Sequence, residues 1–90
     1  MENRHDIRST SADDVAVESA VLQHVLALHP TTLTREEIVL ELGGGDDSFA
    51  VRDAVERAVR DLAACGLLHV TDSLVQPSRA ALRFDQLLGE

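Results

Sequence analysis

Apolar residues recur at steps of three and four in four separate stretches of this chain, and a short interval between the third and fourth has strand character. The clearest stretch is SFAVRDAVERAVRDLAACG, residues 48–66. There Val51, Val55, Ala58, Val59 and Leu62 fall on one face of a helix. Arg52, Asp53, Glu56, Arg57, Arg60 and Asp61 fall on the other. Gly66 follows where a helix commonly ends in a left-handed residue. The pattern predicts a third helix here, and the rest of the chain is arranged around it.

Upstream, the pattern predicts helix 1 over residues 12–29, capped by Ser11 or Asp13, with Asp14 and Glu18 near its positive end. Pro30 stops it, because the residue before proline avoids helical geometry. Its apolar positions make two rows. Val15, Leu22 and Leu26 form one, and Val17, Val21, Val25 and Leu28 the other. So wide an arc is either enclosed by the C-terminal helix or shared with a second subunit, which makes Val17, Val21, Val25 and Leu28 a candidate dimer seam. Residues 1–11 read as a polar, flexible tail whose Arg4, His5 and Arg8 are either solvated or a basic arm for a minor groove.

Helix 2 has the clearest start signal. In LTREEI, Thr34 is the N-cap, Glu37 completes a capping box, and Leu33 and Ile38 sit at hydrophobic-staple positions. Ile38, Val39 and Leu42 face the core, and Gly43 ends the helix. After helix 3, residues 67–70 and 74–76 predict a hairpin turning at Thr71-Asp72-Ser73, ended by Pro77. Ser78 then caps a last helix, RAALRFDQLL, with Ala80, Phe84, Leu87 and Leu88 on its buried side. One domain over residues 12–88 accounts for all of these elements.

The segment from Ala58, AVRDLAACGLLHVTDSLVQPSRAALRF, resembles the second half of a bacterial winged helix-turn-helix domain, and HPTTLTREEIVLELGG resembles its helix 2. The resemblance implies a mainly α fold with a short β-hairpin: a three-helix core, a two-stranded wing and a C-terminal helix. It also implies that helix 3 enters the major groove of duplex DNA, as in a small transcription regulator. On this chain Arg52, Arg57 and Arg60 are then the candidate base readers, and Ser48 a phosphate donor at the helix N-terminus.

Composition supplies a rival reading. The net charge is −8, every basic side chain is Arg, and the wing carries no cation, with Asp72 at its tip. The helix 3 charges also lie four apart with opposite sign, as Asp53–Arg57, Glu56–Arg60 and Arg57–Asp61, a spacing that suits a salt-bridged, solvated face. The alternative is therefore an acidic winged-helix module that binds another protein and no DNA. With Phe49 and Phe84 as its only aromatics, the chain has little with which to stack on nucleobases.

The sequence shows no pattern for chemistry. GGGDD, residues 43–47, lacks the Lys-Ser or Lys-Thr pair of a phosphate loop and the distal glutamate of a calcium loop. His24 and His29 diverge on helix 1, and Gly66 separates Cys65 from His69, so no metal set and no cofactor are expected. No serine elbow organises a nucleophile, and no enzyme is expected. Cys65 reads as a small buried residue at a helix end. With neither a signal peptide, an anchor nor a membrane-length apolar run, the chain is expected in the cytoplasm.

Overall fold

The computed structural model describes residues 2–45 and 48–89, with side chains from Asp13 onward. Four helices and a small antiparallel sheet follow one another as α1 (Glu2–Leu28), β1 (Leu33–Thr34), α2 (Arg35–Leu42), α3 (Phe49–Ala64), β2 (Leu68–Thr71), β3 (Leu74–Pro77) and α4 (Arg79–Leu88). The chain is mainly helical. α1 begins ten residues before the expected start at Ala12. The side chains of Arg4, His5, Arg8 and Ser11 lie outside the described residues, as do Asp46 and Asp47.

The capping box at α2 forms as its residue types require. The Glu37 N–H donates to Thr34 Oγ1 at 3.1 Å, and the Thr34 N–H donates to Glu37 Oε1 at 2.8 Å. Leu33 and Ile38, on either side of the cap, are both buried in the core, as a staple demands. The same segment does a second job that periodicity does not reveal. Leu33 and Thr34 form a third strand, pairing antiparallel with Val75 and Leu74 of β3. The sheet therefore has the order β1-β3-β2, with the hairpin's second strand in the middle.

Two helices end in the same left-handed motif. At the end of α3, Leu67 N–H donates to Leu62 O at 2.9 Å and Gly66 N–H to Ala63 O at 3.1 Å, the paired bonds of a Schellman turn. Gly66 has φ 90°, which strains any residue with a Cβ. At the end of α2, Gly45 N–H donates to Leu40 O and Gly44 N–H to Glu41 O. The hairpin turns on two residues rather than three, since Thr71 pairs directly with Leu74. Asp72 supplies the positive φ of 57°, a conformation aspartate tolerates better than most residues. Pro77 is accommodated in the central strand because β1 has already ended at that level.

Burial corrects two expectations about the apolar rows. Val21 and Val25 are completely buried in this chain's own core with Ile38, Val39, Val59 and Val75, and Val17 packs against that cluster. The centre of a dimer seam through Val17, Val21, Val25 and Leu28 is closed, because α3, β3 and α2 already cover Val21 and Val25; Val17 is half-buried and Leu28 is 40% exposed. The expected cover of α1 by α4 is slight, since α1 packs chiefly on α3. Conversely, α4 buries only Ala81. Phe84, Leu87 and Leu88, expected inside, are 61%, 54% and 70% exposed.

Candidate interaction surfaces

The outer face of α3 is built as its sequence suggests. Ser48 caps the helix, its Oγ accepting from the Val51 N–H at 3.3 Å. The apolar stripe Val55, Ala58, Val59 and Leu62 is buried, which turns Arg52, Arg57 and Arg60 outward. The three arginines then meet different fates. Arg57 Nε donates to Asp53 Oδ2 at 3.2 Å and its Nη1 to Asp14 Oδ1 of α1, also at 3.2 Å. Two carboxylates on one guanidinium raise its pKa above the ordinary arginine value, with the Asp53 hydrogen bond the larger cause and Asp14 next.

Arg52 reaches across to α2 and pairs with Glu36. That hydrogen bond lowers the Glu36 carboxyl below the usual glutamate range. Of the three α3 arginines, Arg60 is the one that is exposed and without an ion pair among the described residues. Of the three pairs that sequence spacing suggests, Asp53–Arg57 forms. Glu56–Arg60 and Arg57–Asp61 are not among the ion pairs of the described residues. The cross-helix partners Asp14 and Glu36 leave no signal at helical spacing, because tertiary packing alone sets them beside α3.

The hairpin contributes no positive charge to this face. Residues 68–77 hold neither Arg nor Lys, and Asp72 stands at the turn. Arg35 N–H donates to Ser73 O at 3.1 Å, so the turn is tied back to the start of α2.

The exterior also carries exposed apolar side chains. α4 presents Phe84, Leu87 and Leu88 to solvent along successive turns, and Phe49 and Val15 are exposed elsewhere. Between α1, the end of α2 and α3 runs a groove of about 290 Å³ lined by Ala16, Val17, Ala20, Leu42, Val51, Ala54 and Val55. Every lining side chain is apolar, and most are small. No polar side chain lines it to orient a polar ligand.

Cys65 is exposed rather than buried, its thiol directed at Leu62 O at 3.4 Å. Among the described residues no three His, Cys, Asp or Glu side chains gather as a metal site, and no helix is long and apolar enough to cross a membrane. No family model, curated protein or solved structure matches this chain.

Proposed function

We propose that this chain is an acidic interaction module of winged-helix type whose recognised partner is a protein surface. The observation that carries this reading is the open apolar face of α4, where three large side chains on a ten-residue helix are more than half exposed. Such a face is costly in water unless a partner covers it. The order of helices and strands, with a hairpin between α3 and α4, supports the winged-helix description. Net charge −8 and a hairpin without cations weigh against a phosphate-binding surface.

A second reading, a transcription regulator reading duplex DNA with α3, is favoured by one observation. Arg60 stands exposed and unpaired among the described residues on the outer face of a helix whose N-terminus Ser48 caps. Arg52 and Arg57 would have to leave Glu36, Asp14 and Asp53 to join it. Fluorescence anisotropy with mixed-sequence duplex DNA at low salt, then a salt titration, separates the two readings. The interaction-module reading expects no salt-steep binding. Affinity that falls steeply with salt, with a slope reduced by about one in Arg60→Ala, would replace it with the DNA reading.

A further inference from the structure

The open face of α4 and the groove between α1, α2 and α3 complement each other in apolar character and in charge. The groove's wall of alanine and valine leaves room that large side chains can fill, and α4 offers Phe84, Leu87 and Leu88 with nothing over them. Charge follows the same division. Among the described helices and strands α4 alone has net positive charge, carrying Arg79 and Arg83 against Asp85. α3 is balanced, and α1 and α2 are net acidic. Exposed Asp13 precedes Ala16 by one turn, Glu41 adjoins Leu42, and Asp53, paired with Arg57, adjoins Ala54, so each helix that lines the groove carries an acidic residue close in sequence to a lining position. Two cations also stand close in sequence to the lining: Arg52 adjoins Val51 and is engaged by Glu36, and Arg57 lies two residues from Val55 and is engaged by Asp14 and Asp53.

We infer that the occupant of this groove is α4 of a second copy of the chain, seated with Phe84 and Leu87 against the small residues and Arg79 and Arg83 toward the acidic rim. This rests on the interaction-module reading and names its partner. The two surfaces differ, so the contact is isologous only when it is made reciprocally and is otherwise heterologous. Two copies close it by exchanging α4 reciprocally, and otherwise it propagates from copy to copy. Because the rim contacts are between exposed charges, association weakens as salt rises.

Sedimentation velocity on the full chain over a concentration series tests the assignment, with circular dichroism confirming that each variant is folded. The wild type should associate with rising concentration. Phe84→Glu on α4 and Ala16→Arg in the groove should each weaken that association roughly ten-fold or more. Both positions are exposed, and Leu87→Glu serves as a second α4 variant expected to weaken association in the same way. An equimolar mixture of Phe84→Glu and Ala16→Arg should associate again, since the first retains an intact groove and the second an intact α4. A wild type that stays monomeric at every concentration overturns the assignment and leaves the module reading to its DNA titration. Association that survives Ala16→Arg, as in α4 pairing with α4, also overturns it, and so does a mixture that stays monomeric.

Discussion

Arg52 and Arg57 show how one residue type on one helix face acquires separate duties. Each extends from α3 to a different neighbour, Arg52 to Glu36 of α2 and Arg57 to Asp14 of α1, so the pair fastens the central helix to both helices that precede it. All four side chains keep substantial contact with water, and bridges of this kind contribute little each. Their effect is to hold the arginine heads in place. A protonation measurement reads this directly. Glu36 has a folded pKa below its unfolded one, so its contribution to stability is full above the ordinary glutamate range and is lost as pH falls through the lowered value. NMR titration of the Glu36 carboxyl should give a midpoint below that of a free glutamate, and Arg52→Gln should move it back up. A Glu36 midpoint that does not respond to Arg52→Gln would place the cause elsewhere.

At the scale of elements, the ends of the helices are more strictly specified than their middles. The Thr34–Glu37 box fixes where α2 starts, and the Schellman turn at Gly66 fixes where α3 stops and Leu67 turns toward the sheet. Nothing lies within 4 Å of the place a Gly66 Cβ would occupy, so the requirement for glycine there comes from backbone conformation alone. Gly66→Ala should therefore destabilise the fold by about 1–2 kcal/mol, lowering Tm by roughly 4–16 °C for a domain of this size. A thermal melt unchanged by the substitution would show that φ at this position relaxes without cost. Both signals were readable in the sequence, because caps and turn glycines act through neighbours in the chain. The strand β1 was not readable, since two residues carry no period and their pairing depends on where β3 lies.

The whole molecule decides which of two similar apolar rows becomes core. Val15 and Val21 lie on the same helix with the same side chain, yet Val15 is 63% exposed and Val21 is fully buried. Val21→Ala should cost about 2 kcal/mol, since the site is enclosed on all sides, while Val15→Ala should change stability by less than about 0.5 kcal/mol. Chemical denaturation of both variants against the wild type checks the pair, and equal losses would contradict the burial pattern. The same global packing leaves α4 with its strongest apolar stripe directed at solvent and Ala81 alone buried. An amphipathic pattern states that a helix has a face to cover and is silent on what covers it.

The sequence by itself determined the number and order of the helices, the capping box at Thr34, the stop at Gly66, the hairpin between residues 68 and 77, and the buried stripe of α3. These are local properties: a hydrogen-bonding side chain three residues away, a positive φ, a repeat of three and four. Tertiary structure alone decided that β1 joins the sheet, that Val21 and Val25 belong to the chain's own interior, and that Phe84, Leu87 and Leu88 remain outside it. It also decided that Arg52 and Arg57 are engaged by carboxylates on other helices while Arg60 is not among the ion-paired residues. Each of these depends on which elements come to rest side by side. Helical periodicity places a residue on a face, and only the packed fold determines whether that face meets a neighbour, a charge or water.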